Sequence, residues 1–390
     1  MRIFYVSVDP GETIEKVYGG VSHGLNVIQA FKKIGIDVIT IWEGTKSQRN
    51  LKKIYVKVKK FIPFSKEMRD LYRIYYGYES LKLLRRRLQN ELPSFIYERN
   101  VFHHPSIAYY ARSLGVTTIL EVNSPLEESK LLSEDSLLRY WADSIERQKM
   151  RTVDAIVTVS TPLRSFIVDR YSINANKVFV IPNGVDPALF YPDLQAREGC
   201  RNIYGLHGKV VIGFVGKMTA WHGIDLLIEA APSIIREARD VRFLLVGGGE
   251  SRDRILALIE SKQLSRYFIV TGYIPYENIP SLINAMDICV VSNPNWYASP
   301  IKLAEYAAVG KPVVCPDLEA IRDRIDNDLL SYILFRSRDP DSFTETLVKL
   351  IKNKSLRRAI GSKFREHILT YHTWQRNAER ILEIYKSLRN

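Results

Sequence analysis

Short unbroken apolar runs alternate along this chain with stretches in which apolar residues recur every three or four positions. The runs at 2–8, 36–42, 94–98, 117–122, 154–159 and 177–181 are rich in Val and Ile. Strands covered on both faces have that composition. Helical periodicity fills the intervals, at about 20–34, 66–90, 105–114, 134–150 and 161–171. Alternation of this kind predicts a parallel sheet wound by right-handed crossovers. The second half repeats the plan. Strands are expected at 210–215, 241–246, 267–271, 287–292, 312–315 and 331–335, and helices at 223–238, 251–263, 277–285, 301–309 and 318–325. Three helices without intervening strands follow, at about 340–353, 355–370 and 373–389. Turn residues crowd Pro182-Asn183-Gly184-Val185-Asp186-Pro187, and periodicity is weak from there to about 208. This stretch reads as the link between two doubly wound α/β domains, 1–185 and 186–372.

In open α/β sheets, ligands bind at the carboxyl ends of the strands. Candidate chemistry is therefore sought just after each strand. Ser299-Pro300-Ile301-Lys302-Leu303-Ala304-Glu305-Tyr306 reads as loop and helix start, with Gly310 as the C-cap and Pro312-Val313-Val314 resuming as strand. Free amides around Pro300, Ile301 and Leu303, with Lys302 beside them, suit a phosphate, and Glu305 suits a pair of sugar hydroxyls. An ordinary strand-to-helix turn with a surface Lys and Glu fits the stretch equally well. Gly216-Lys217 follows the strand at 210–215, and Trp221-His222-Gly223 opens the next helix. Gly247-Gly248-Gly249 follows 241–246, and Gly272-Tyr273-Ile274-Pro275 follows 267–271. These glycine turns fall on one edge of one sheet. In the first half, Gly19-Gly20 precede a helix but lack the G-x-G-x-x-G spacing of a dinucleotide site. Glu98, His103 and Asn123 lie just after strands as candidates for an acceptor or sugar. His103 and His104 have neither i, i+4 spacing nor a third ligand, so no metal site is expected.

Composition narrows the class. The chain has 390 residues, 46% of them hydrophobic and 25% charged, as in soluble globular enzymes. Its three cysteines, Cys200, Cys289 and Cys315, have no C-x-x-C spacing, which fits a reducing cytosol. The start Met1-Arg2-Ile3-Phe4-Tyr5 turns polar too soon for a signal peptide, and no apolar run approaches the ~18 residues that span a bilayer. Cytoplasmic residence is expected. The net charge is +13, and fourteen Lys or Arg against three acids lie between Lys46 and Arg87. Peripheral contact of 46–87 with the inner face of an anionic membrane, a phosphate-bearing acceptor or nucleic acid would each explain this charge, and so would a solvated helix face. In 66–90, Met68, Leu71, Tyr75, Tyr78, Leu81, Leu84 and Leu88 share one side, so most of those aromatics are expected in the core. No nucleic-acid-binding motif accompanies the charge, so no nucleic-acid partner is expected.

Taken together, these motifs resemble retaining glycosyltransferases of the GT-B fold, family 4 type. The resemblance rests on Gly19-Gly20, Val159-Ser160, Ile181-Pro182-Asn183-Gly184-Val185-Asp186, Val215-Gly216-Lys217, Trp221-His222-Gly223, Val246-Gly247-Gly248-Gly249, Gly272-Tyr273-Ile274-Pro275, Ala285-Met286-Asp287 and above all Ser299–Tyr306. It implies two Rossmann-like domains facing across a cleft, the acceptor-side domain first and the nucleotide-sugar domain second, with a helical tail whose last helix, about 373–390, packs back on the first. It implies that Glu305 binds the donor ribose, that the 300–303 amides take the diphosphate, that the backbone near Tyr273 and Ile274 reads the base, and that Gly19 and Gly20 face donor phosphates and acceptor. Gly216, Gly223, Gly248 and Ser299 complete the donor side. Lys217 stands where the family usually has Arg, and His222 where it usually has Lys. The family's second acid falls on Tyr297, and its cleft His on Asn123.

The implied chemistry is metal-independent transfer of a sugar from a UDP- or GDP-sugar to a hydroxyl of a glycan or lipid-linked glycan, with retention and no cofactor. Lys217, His222 and Lys302 would steady charge developing on the leaving phosphate. Two rival classes remain: a GT-B epimerase or phosphorylase, and a basic nucleic-acid- or membrane-binding protein using 46–87.

Overall fold

The computed structural model describes residues 1–8, 19–42, 65–125 and 139–389. They form two units, Met1–Pro182 with Gln375–Asn390, and Asn183–Trp374.

The first unit alternates strand and helix: β1 (Arg2–Val6), α1 (Gly19–Lys33), β2 (Asp37–Ile41), α2 (Ser65–Asn90), β3 (Phe95–Arg99), α3 (Ala108–Ser113), β4 (Thr117–Val122), α4 (Arg139–Thr152), β5 (Ala155–Thr158), α5 (Thr161–Tyr171) and β6 (Val178–Val180). All pairings are parallel, in the order β2-β1-β3-β4-β5-β6. The four inner strands, β1, β3, β4 and β5, are almost wholly buried, which is why their sequences are continuous apolar runs rather than alternating ones.

The second unit begins with α6 (Leu194–Tyr204) and continues β7 (Val210–Val215), α7 (Ile224–Glu237), β8 (Val241–Val246), α8 (Arg252–Ser261), β9 (Phe268–Val270), α9 (Ile279–Ala285), β10 (Ile288–Val290), α10 (Ile301–Ala308), β11 (Val313–Pro316), α11 (Glu319–Arg322), α12 (Asn327–Ile333), β12 (Leu334–Phe335), α13 (Pro340–Lys352) and α14 (Lys354–Tyr371). Its sheet is also parallel, in the order β12-β11-β10-β7-β8-β9. The chain winds one way from β7 to β9 and the other way from β10 to β12. The order reverses between β7 and β10, where such sheets open a crevice at their carboxyl edge.

The last helix, α15 (Trp374–Ser387), packs on the first sheet. Tyr385 stacks on Phe95 with ring centroids 4.8 Å apart, and Asn377 Nδ2 donates to the Pro182 carbonyl at 2.8 Å.

Three expectations need correction. The supposed link contains α6, capped by Asp193, whose carboxylate accepts from the Ala196 amide at 2.9 Å. Arg197 and Arg201 of this helix share Asp287 at 2.6 and 2.5 Å. Ion pairing rather than an apolar stripe holds it in place, so periodicity could not show it. The strand expected at 331–335 is mostly α12, started by an Asp326 cap, with only Leu334–Phe335 in the sheet. On α2 the expected face is buried only in its second half. Tyr75, Tyr78 and Leu71 are exposed, while Ile74, Tyr76, Leu84 and Leu88 are buried. The helix is keyed by Gly77, where a Cβ would lie 2.9 Å from the His104 ring, and Tyr76 stacks on that ring. The contact shifts the first half of the buried stripe by about one position, while Leu84 and Leu88 stay on it. Much of the basic 46–87 stretch, up to residue 64, lies outside the described residues.

Candidate functional site

The reversal between β7 and β10 brings together the loops that follow them. Gly216 follows β7 with φ at 146°, a region that favours glycine, and its amide donates to the Val246 carbonyl at 2.9 Å. A Cβ there would lie 2.7 Å from Lys302 Nζ. Gly247, with φ at 132°, passes so close that a Cβ would be 2.1 Å from the Gly216 oxygen. Further bonds stitch these loops into one surface: Met218 N–H to the Gly248 carbonyl at 2.8 Å, and Gly247 N–H to the Gly272 carbonyl at 3.0 Å. At Gly248 a Cβ would have only the Tyr273 amide nitrogen near it, at 3.6 Å. Tyr273 itself is exposed and Ile274 half-buried.

Pro300 caps α10 in an extended conformation. It has no N–H, and the Leu303 amide donates to the Pro300 carbonyl at 3.2 Å. The expected cradle of amides over 300–303 therefore contracts to Ile301 and Lys302. The Ser299 hydroxyl is also occupied: it accepts from the Asn183 amide at 3.0 Å, and Asn183 Nδ2 donates to the Ser299 carbonyl at 2.6 Å.

Lys302 is half-buried, with its ammonium 4.1 Å from the centroid of the Phe214 ring. Burial pushes its pKa down to about 7, with Glu305 opposing the fall. Glu305, one turn along the same helix, is buried and accepts from Tyr276 Oη at 2.8 Å. Burial pushes its pKa up to about 7, against the pull of Tyr276 and Lys302. His222 lies edge-on to Phe214. Burial, then Lys302 and Lys217, depress it to about 3, so at neutral pH it is an uncharged imidazole. Lys217 is exposed and paired with Glu250 at 2.9 Å. Two of the three expected free cations are thus qualified: His222 is neutral and Lys217 already has a carboxylate partner. Gly223 sits at the cap of α7, directly after His222. Tyr297 is buried, and its hydroxyl accepts from Asn295 Nδ2 at 2.8 Å.

In the first unit, Gly19 and Gly20 are the first residues of α1. His23, one turn on, approaches Glu121 at 2.5 Å, and Asn123 Nδ2 donates to the same oxygen at 2.6 Å. Burial opposes ionisation of Glu121, but His23, Arg99 and Asn123 outweigh it and hold the pKa at about 2. Glu98 and His103 do not stand at an open surface. Glu98 is buried, accepts from Ser106 Oγ at 2.6 Å, and is raised above the usual carboxylate range by burial. His103 is fully buried, with a left-handed φ of 68°. Beside them Lys149 reaches Glu146 at 2.9 Å and Asn100 at 2.5 Å, forming a buried polar cluster.

Arg324, Asn183, Tyr276 and Glu250 were not expected as neighbours of the residues assigned to the donor, yet each contacts one of them or its turn. Tyr276 lies one residue past the Gly272–Pro275 turn, a signal that could have been followed. Arg324 reads as an ordinary polar helix residue, and nothing in the sequence marks it. Among the described residues no group of His, Cys, Asp and Glu could hold a metal ion, and no helix is long and apolar enough to cross a membrane.

Comparisons with known proteins agree with this fold. A model described as glycosyl transferases group 1 matches residues 209–353, and one described as glycosyltransferase family 4 matches 17–189. The chain belongs to this family of GT-B glycosyltransferases. It is 27% identical to spore coat protein SA of Bacillus subtilis over 251 residues, 61% of this chain and 66% of that relative. The match thus spans slightly less than two thirds of the relative's length. Sucrose-phosphate synthase from Thermosynechococcus elongatus superposes with a TM-score of 0.76 at 18% identity, covering 99% of this chain and 98% of that one. Anabaena HepE, solved in complex with UDP-glucose, gives 0.72 at 15% identity, covering 99% and 100%. These structural likenesses establish the fold.

Proposed function

We propose that the protein transfers a sugar from a UDP- or GDP-sugar to an acceptor hydroxyl, with retention of the anomeric configuration. The observation that carries this reading is the placement of Lys302, Gly216 and Glu305 at the sheet reversal of the second unit. A diphosphate there would meet the Ile301 and Lys302 amides and the Lys302 ammonium. The ribose diol would meet Glu305. The backbone at Tyr273 and Ile274, beside Gly248, would face the base. Family membership and the UDP-glucose held by HepE support a nucleotide-sugar donor.

Breaking the glycosidic bond generates an oxocarbenium-like sugar and negative charge on the departing phosphate. Lys302, protonated as the anion arrives, would neutralise that charge. His222 would assist as a hydrogen-bond donor rather than as a cation, and Lys217 would have to exchange Glu250 for phosphate. Electrostatic stabilisation of a leaving group needs no resident metal in this scheme. Tyr297 in place of a second acid makes a neutral contact to the transferred sugar.

On the acceptor side, the proposed contacts are Gly19, Gly20 and Asn123. Glu98 and His103 would act from behind, through the buried polar cluster. A glycan or lipid-linked glycan is the proposed acceptor class, and the basic 46–87 stretch the proposed contact with anionic lipid. The exposed Tyr75, Tyr78, Arg85 and Arg86 of α2 fit such a surface.

The test is release of free UDP or GDP from sugar donors with and without lipid-linked acceptor, followed by the anomeric configuration of the product. Acceptor-dependent release with retention supports the reading. Inversion, or interconversion of donor sugars without release, refutes it.

A further inference from the structure

Arg324 is fully buried, yet no carboxylate pairs with it among the described residues. Its Nη1 donates to the Pro300 carbonyl at 2.7 Å and its Nη2 to the Asn183 carbonyl at 2.5 Å, while its Nε has no hydrogen-bond partner. A buried guanidinium without a counter-ion is costly, and it is normally compensated by an anion. The two carbonyls it holds are not arbitrary. Asn183 is the residue bonded twice to Ser299, and Pro300 is the cap of α10. The Pro300 oxygen and the Ile301 N–H belong to one peptide group. A charged donor on that oxygen polarises the peptide and makes the Ile301 N–H a stronger donor toward whatever accepts from it.

We infer that Arg324 is a positioning residue for diphosphate binding: it fixes the Ser299–Pro300 turn, strengthens the Ile301 amide through the shared peptide, and awaits the ligand's phosphates as its missing counter-charge. This rests on the donor reading given above, and it extends that reading to a residue three elements along the chain that touches no substrate. Burial lowers the guanidinium's pKa to about 9, so it remains charged at neutral pH. Pairing Arg324 with carbonyls rather than acids leaves its positive field available to the ligand. An internal carboxylate would cancel that field.

The test is calorimetric titration of wild type, Arg324→Met and Arg324→Lys with UDP, GDP, pyrophosphate and the uncharged nucleosides uridine and guanosine. Circular dichroism and thermal unfolding report on the fold. Loss of affinity for the diphosphates by tenfold or more in Arg324→Met, with nucleoside affinity within twofold of wild type, supports the inference. Arg324→Lys keeps the charge without the fork and is expected to recover part of the loss. Should Arg324→Met fail to fold, the same comparison is made with Arg324→Lys, expected to lose diphosphate affinity by a smaller factor. Folded variants that bind diphosphate as wild type does overturn the inference alone. Equal losses for nucleoside and diphosphate, the mark of a merely structural residue, also overturn it. A wild-type protein that binds none of the diphosphates overturns the donor reading and this inference together.

Discussion

The ammonium of Lys302 rests 4.1 Å from the centroid of the Phe214 ring. The ring supplies cation–π attraction in place of a carboxylate, so the charge is held in position without being neutralised. The same nitrogen lies where a side chain at Gly216 would intrude. On the proposed function, an incoming phosphate would meet a preplaced, partly dehydrated cation.

Proton linkage follows from that placement. Lys302 has its pKa lowered to about 7 in the free protein, and a phosphate partner raises it. Binding should then take up a proton at pH 7–8. Diphosphate affinity should be full below pH 7 and fall above it, by at most about tenfold per pH unit for one linked proton. Titration of UDP or GDP in buffers of different ionisation enthalpy measures the uptake. In Lys302→Arg, which stays charged, the uptake should vanish.

Glu305 predicts a different loss. If it holds the ribose diol, Glu305→Ala should weaken nucleoside diphosphate binding by roughly 10- to 100-fold, the worth of hydrogen bonds to a charged group. It should also abolish the preference for the nucleotide over its 2′,3′-dideoxy form. Equal binding of the two forms by wild type would remove Glu305 from that role.

Gly247 tests the stitched loops. Its φ of 132° and the Gly216 oxygen, 2.1 Å from a Cβ there, leave no room for alanine. Gly247→Ala should cost about 1–3 kcal/mol in strain alone. It should also shift the Gly216 backbone, lowering activity in protein that remains folded. Denaturant unfolding and turnover, measured on one preparation, separate the two effects.

Glu121 gives the first unit its own pH signature. Its pKa is about 2 when folded and 4.5 in a free side chain, so it binds fewer protons when folded. The stability it contributes is present above pH 4.5 and lost as the pH falls through about 2. The shift is equivalent to ~3 kcal/mol at pH 7. Glu121→Gln should lose stability of that order at pH 7 and little near pH 2, as read from urea unfolding at the two values.

The architecture was legible because buried parallel strands write themselves as apolar runs, as in β1, β4 and β7, and because glycine turns mark where loops must touch. The grouping of Gly216 with Lys302 was legible for the same reason: they belong to motifs whose spacing has a backbone cause. Their charge states were not. His222 and Lys302 look like cations in sequence, and only burial, joined at His222 by repulsion from Lys302 and Lys217, shows one neutral and the other near its midpoint. Helix α6 was missed because Arg197 and Arg201 meet Asp287 some ninety residues later. The rotation of α2 depended on one glycine meeting His104. Arg324 was invisible because a buried arginine bonded to carbonyls leaves no pattern in its own neighbourhood.

The donor site is tested most directly by thermal unfolding of wild type and Lys302→Ala against UDP-, GDP- and ADP-sugars. At a hundredfold excess over its dissociation constant, a specific donor should stabilise wild type by about 2.7 kcal/mol. The shift should be largely lost in Lys302→Ala, whose unliganded stability should match or exceed wild type because a half-buried cation has been removed. Stabilisation by none of these sugars, or equal stabilisation of both proteins, would contradict the assignment of Lys302 and its surroundings as the nucleotide-sugar site.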